Sequence, residues 1–170
     1  IGSIDIIEGL TGTGAYAGAV NMVTTPLRPN YMRTEISGGA YGYLYSNISG
    51  AITRNGLSVL AAGSVRRSDG YIENTDFNNS NLFTRITYTS SSAGLFDMQA
   101  GYQRRDFGSN GFYSLSFPDQ FEHTETALAS VKWNRSFGRF TLNANASYRK
   151  NNDRYELYRG GKGAPEGWTP

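Results

Sequence analysis

The sequence predicts an all-β chain, an antiparallel up-and-down meander of about seven strands, and three observations carry that expectation. The first is composition: among 170 residues there are 21 Gly, 12 Tyr and 9 Phe, a mixture of strand and turn formers rather than helix formers. The second is an alternation of apolar and polar residues with period two from Leu44 onward. The third is that the segments joining these runs are alternately short and long. The length suffices for one ordinary domain.

In chain order, Ile4 to Ile7 and Ala19 to Thr24 are apolar, β-branched runs on either side of GLTGTGAYAG, which reads as strand, glycine turn, strand. TTPLRPN, with Pro26 and Pro29, then breaks any regular element, because proline fixes φ and donates no hydrogen bond. The break divides the chain into a short leading unit, 1–30, and a strand domain, 31–170. In the segment from Leu44, Ile48, Gly50 and Ile52 share one face while Asn47, Ser49 and Thr53 share the other. Phe96, Met98, Ala100 and Tyr102 oppose Asp97, Gln99 and Gln103. Ala127, Ala129, Val131 and Trp133 oppose Thr126, Leu128, Ser130 and Lys132. Phe140, Leu142, Ala144, Ala146 and Tyr148 oppose Thr141, Asn143, Asn145, Ser147 and Arg149.

The short connections are Asn55-Gly56, a strong two-residue hairpin turn, Ser90 to Gly94, and Ser136 to Arg139. The long ones are Ser68 to Ser80, Asp106 to Glu122 and the tail from Asn151, with a tight first connection near Tyr41 to Tyr43. A meander then carries its short turns on one side and its long loops on the other. Transmembrane β-barrels have that asymmetry, so the strands are expected to come from a larger transmembrane barrel. No window approaches the roughly 20 apolar residues of a membrane-spanning helix. Tyr41, Tyr43, Tyr45, Tyr71, Phe112, Tyr113, Tyr155 and Tyr158 crowd the long-loop ends, as an aromatic girdle, a ligand-facing rim or ordinary strand aromatics. The chain opens at Ile1 without Met or a leader and stops in a Gly-rich stretch at Pro170, so both ends read as cut and a fragment is expected.

Other chemistry finds little support. The net charge of +2 is spread without a basic block, so no nucleic-acid partner is expected. With no cysteine and His123 as the lone histidine, no catalytic constellation is visible and an enzyme is not expected. His123 and Glu125 share a strand face and could reach a metal or exchange a proton, although a rim hydrogen bond is the plainer reading. Gly9, Gly12, Gly14 and Gly18 fit neither phosphate-binding fingerprint. Asp69, Glu73 and Asp76 gather with Asn74, Asn78 and Asn79 in one stretch, an oxygen-rich set for a hard cation such as calcium or simply a solvated loop. Asp69 and Asp76 are its candidate ligands.

SIDIIEG, Ser3 to Gly9, with GAVNMVT, Gly18 to Thr24, resembles the end of the plug domain of TonB-dependent outer-membrane receptors. It departs from them in a shorter connection, in Leu10 where the family has Pro, and in lacking a Tyr-Gly pair. SDGYIENTDF, Ser68 to Phe77, looks like an early extracellular loop of that family. YQRRDFGSNGFYS, Tyr102 to Ser114, and PDQFE, Pro118 to Glu122, are similar to its cobalamin-receptor-like branch. The resemblance implies that 1–30 is the C-terminal part of a plug and 31–170 the first part of a 22-stranded barrel. It also implies a Gram-negative outer membrane, uptake of a scarce nutrient such as cobalamin or an iron chelate (siderophore), energy from TonB acting on parts of the parent outside this chain, and calcium in such loops. On this reading Tyr71, Asn74, Phe112 and Tyr113 are the substrate-contact candidates, and Arg105, beside Arg104 and Asp106, steers an anionic ligand.

The alternative is a soluble or surface-exposed all-β binding or structural module that closes a small barrel or forms a dimer. Either way the isolated chain is expected to self-associate, covering its edge strands and the Ile48, Ile52, Phe140, Leu142 and Ala144 faces.

Overall fold

The computed structural model describes the backbone of residues 3–8 and 18–23 and the whole of residues 30–167. Strand β1 (Ser3–Glu8) pairs antiparallel with β2 (Gly18–Val23), Ser3 opposite Val23 and Glu8 opposite Gly18, as the strand–turn–strand reading requires. The connecting GLTGTGAYAG, apart from Gly18, and most of the TTPLRPN break lie outside the described residues.

Seven strands follow in a second sheet: β3 (Tyr31–Gly38), β4 (Leu44–Arg54), β5 (Leu57–Ser68), β6 (Phe77–Ser90), β7 (Gly94–Gly108), β8 (Phe121–Phe137) and β9 (Phe140–Glu156). Each is antiparallel to the next and the order in space is the order in sequence, so the meander is as expected. The sheet is open, with β3 and β9 at its edges. Asn55 and Gly56 turn with φ of 51° and 79°, the positive values that a two-residue hairpin with right-handed twist demands. The other tight turns, 91–93 and 138–139, lie on the same side, and loops 69–76 and 109–120 on the opposite one. The 39–43 connection joins the long-loop side, where the Asp69 amide donates to the Tyr41 carbonyl at 2.8 Å.

Register decides the character of each face. Ile52, Val59, Ile86, Met98, Val131 and Ala146 lie abreast across six strands. One residue over, on the opposite face, Ala51, Leu60, Arg85, Gln99, Ser130 and Ser147 form the neighbouring row. The alternations read separately in four segments therefore fall in phase. A slip of one residue in any hairpin would have turned a strand's apolar set to the wrong side.

The apolar face is bare. Among the described residues the only buried hydrophobic side chains are Ala51 and Phe121, while Met32, Ile52 and Phe140 are 76%, 69% and 79% exposed. Among the described residues no second layer covers this sheet, although an apolar sheet face must be covered by something to be stable. The polar face is laced by its own side chains. Arg85 grips Asp97 with two bonds, Nε to Oδ1 at 2.9 Å and Nη2 to Oδ2 at 2.6 Å, and Gln103 donates to Asn81, which donates to Ser64.

Two expectations about the long-loop side need correction. The strands run further than the alternation indicated: β7 continues to Gly108, β8 begins at Phe121 and β9 persists to Glu156, within stretches read as loop. There the face that is apolar lower down becomes ionic, Arg104 pairing with Asp106, which also meets His123 Nδ1 at 2.5 Å, so both faces are polar and the period-two signal vanishes. The aromatic residues also divide differently. Tyr45 and Tyr155 stand on the polar face, abreast of Arg66 and Glu122. Aromatics of the apolar face include Tyr88, Phe96, Trp133, Phe137 and Phe140 toward the short turns, and Tyr102 and Tyr148 further up. Phe96 stacks on Trp133 at 5.9 Å, and the indole Nε1 donates to the Ala93 carbonyl at 2.9 Å.

Candidate functional site

The long loops are tied into one body. Asn74, at a φ of 56°, donates its amide to the carbonyls of Pro118 at 2.8 Å and Gln120 at 2.6 Å, joining loop 69–76 to loop 109–120. Asn110 answers, its backbone donating to the Asn74 carbonyl and its side chain to that of Glu73 at 2.8 Å. The segment after β9 closes over both. A 3₁₀ turn at Arg159–Gly161 brings the Arg159 guanidinium onto Asp76 and onto Asn74 Oδ1, and stacks it over Phe121 at 4.4 Å. Lys162 pairs with Glu73. Hydrogen bonding from Arg159 holds the Asp76 carboxyl below the usual range, and hydrogen bonding from Lys162 does the same for Glu73.

The residues expected to touch a ligand or metal therefore separate. Asn74 is a loop fastener, and both Asp76 oxygens are taken by Arg159. Asp69, the other candidate calcium ligand, lies with its carboxylate against the backbone of Gly42. Among the described residues no three acidic or histidine side chains converge as metal ligands would. Tyr71, Phe112 and Tyr113 stand 70%, 76% and 55% exposed. Phe112 meets Tyr113 edge-on at 4.8 Å, and Tyr113 meets Tyr155 edge-on at 5.4 Å. The Tyr113 hydroxyl donates to Glu122 at 2.5 Å, a bond that pushes its pKa up to about 12.

Arg105 lies apart from these aromatics, on the polar face. It lines a cavity of about 510 Å³ below the loop body, together with Tyr45, Arg66, Asn79, Asn81 and Gln103. Arg66, Asn79 and Arg105 are abreast on β5, β6 and β7, with Ser64, Asn81 and Gln103 one step toward the short turns. In the sequence, Arg105 is singled out for an anionic ligand, Asn79 falls in the oxygen-rich loop set and Tyr45 on the rim, and nothing brings these residues together with Arg66. The signal of the group is a polar pair at i and i+2 in three successive strands, which becomes a cluster only once the register is known. Comparisons with family models, curated proteins and solved structures return no match for this chain.

Proposed function

We propose that the chain is part of a TonB-dependent receptor of a Gram-negative outer membrane, residues 1–30 ending the plug and residues 31–170 beginning the barrel. The parent would take up a scarce nutrient, a corrinoid or an iron chelate, using energy delivered by TonB elsewhere in the protein. The observation that carries this reading is the in-phase, two-faced sheet: an exposed apolar face, a polar face one residue away, short turns at one end and knotted loops at the other. Lipid covers the first face and the barrel lumen takes the second. The apolar run of β9, Phe140 to Tyr148, extends about 26 Å at the usual rise per residue, comparable with the roughly 25 Å band of outer-membrane barrels. Tyr88, Phe96 and Trp133 near the short turns suit a headgroup boundary, as does the change to charge beyond Tyr102, whose hydroxyl donates to Glu125 at 2.9 Å. A second copy would also cover an apolar face, but it has no need of aromatics gathered at one edge.

The test uses the refolded chain carrying Trp168→Phe, which leaves Trp133 as the lone tryptophan. In vesicles with brominated acyl chains its fluorescence should be strongly quenched, while aqueous iodide has little effect. Iodide quenching without bromolipid quenching, or a discrete dimer that ignores lipid, would overturn the membrane reading in favour of the soluble module. The receptor assignment has its own test in the flanking coding sequence, which should supply the rest of a plug upstream and about fifteen further alternating segments downstream.

A further inference from the structure

We infer that the cavity on the polar face is an oxyanion site, in which Arg66 and Arg105 hold a carboxylate or phosphate of a small ligand. Asn79 sits between them and offers an acceptor to a hydroxyl or amide beside that anion. The inference deepens the uptake reading and rests on it for the ligand being cargo; the site itself stands on the sheet geometry.

Arg66 and Arg105 occupy the strands on either side of Asn79, so their backbones are about 10 Å apart at ordinary strand spacing. That separation lets two long side chains converge on one group from opposite sides. Among the described residues neither guanidinium makes a hydrogen bond or an ion pair; Arg66 only packs over the Tyr45 ring at 5.1 Å. Some cations elsewhere on this sheet are matched, among them Arg85 with Asp97, Arg104 with Asp106 and Arg154 with Glu156. Among the described residues the one carboxylate lining the cavity, Asp76, is neutralised from above by Arg159, so that lining keeps an excess of positive charge.

Two further features point to a ligand. Asn79 Oδ1 is buried and among the described residues has no hydrogen-bond partner, which is costly for an amide oxygen and is relieved by a donor entering the cavity. Below it, Gln103, Asn81 and Ser64 are bonded to one another and form a rigid polar floor. Tyr45, Phe77 and Phe107 supply ring surface on the walls. Guanidinium forks match carboxylate and phosphate oxygens, and an oxyanion bound here would restore charge balance and satisfy the buried oxygen if it carried a hydroxyl.

The experiment is titration calorimetry on the full chain folded in detergent, with citrate, its deoxy analogue tricarballylate and inorganic phosphate as probes. Citrate should bind, and added salt should weaken it. Arg66→Gln and Arg105→Gln should each lower the affinity by about tenfold or more, and Arg105→Lys by less, because the charge survives without the fork. Asn79→Ala should bring citrate down to the affinity of tricarballylate and leave tricarballylate unchanged. Arg135→Gln, a charge removed from the opposite face near the short turns, should change nothing. Unchanged strand circular dichroism in each variant shows that the fold has been kept. Absence of binding by every probe, affinity as high as the parent chain's in the Arg66→Gln or Arg105→Gln variant, or an equal loss in Arg135→Gln overturns the site. Bromolipid quenching of Trp133 reports the other face, so the site and the membrane reading fail separately.

Discussion

Arg159 reaches 83 residues back along the chain to Asp76, closing two hydrogen bonds, Nη1 to Oδ1 at 2.5 Å and Nη2 to Oδ2 at 2.9 Å. The same guanidinium touches Asn74, which itself fastens loop 69–76 to loop 109–120, so a single side chain locks three segments. Arg159→Gln should remove about 1–3 kcal/mol of loop docking, charge-assisted bonds being the strong ones, and raise the rate of protease nicking in 157–167 by about tenfold. Arg159→Lys should fall between the two, since it keeps the charge and loses the fork. Unaltered nicking would mean that backbone bonds alone hold the loops.

Acid should undo the same lock. Asp76 has a folded pKa below its unfolded one, because Arg159 donates to the carboxylate. Its contribution is therefore present above about pH 4 and is lost as pH falls through the lower folded value. Glu73, held by Lys162, has the same sign. Amide protection in the loops, measured against the intrinsic exchange rate at each pH, should fall on acidification while the strands stay protected, and Arg159→Gln should flatten that dependence.

Alkali tests a different contact. The Tyr113 phenol is raised to about 12 by its hydrogen bond to Glu122, so that stabilisation is present below about pH 10 and lost as pH rises through 12. Absorbance of phenolate near neutral-to-moderate alkalinity should be the same in Tyr113→Phe and the parent chain, and should differ only when the pH is pushed beyond 11. Glu122→Gln should bring the Tyr113 titration back toward the ordinary tyrosine range.

How much of this was readable beforehand follows from where the two faces differ. Ile48 against Ser49, or Ala144 against Asn143, is a contrast any period-two scan detects, and the strands and their phase were legible there. Above Tyr102 the contrast is gone, Arg104 and Arg105 pointing to opposite faces with equal polarity, and the strand ends were read as loop. The loop body was illegible for another reason. Arg159, Asp76 and Asn74 look like ordinary polar loop residues, and only the fold brings positions more than 80 residues apart into contact. The Arg66, Asn79 and Arg105 row was hidden in the same way, because register rather than spacing creates it.

The tight turns carry a prediction that separates steric clash from backbone strain. Gly94 has a φ of 84°, and a Cβ there would lie 2.3 Å from the Asn134 carbonyl oxygen on β8. Gly138 has a φ of 59°, with nothing among the described residues within 4 Å of a Cβ built there. Gly94→Ala should thus destabilise the sheet by about 2–3 kcal/mol, and Gly138→Ala by about 1 kcal/mol, the cost of a left-handed conformation alone. Gly138→Asn should be nearly silent, since asparagine tolerates positive φ. Urea unfolding followed by circular dichroism would rank the three.

The two faces can be set against each other with adjacent residues. Val131 lies on the apolar face abreast of Met98 and Ala146, and Ser130 on the polar face abreast of Gln99 and Ser147. If lipid covers the apolar face, Val131→Lys should cost about 2–4 kcal/mol of stability in vesicles, the penalty for a cation near the middle of a barrel's lipid-facing band. Ser130→Lys, one residue away on a water-facing wall, should cost little. If a second copy covers that face instead, Val131→Lys should leave the chain monomeric in water and lipid should make no difference to either variant. Equal tolerance of both lysines would contradict lipid and dimer alike, because either cover depends on Val131 being out of water and Ser130 being in it.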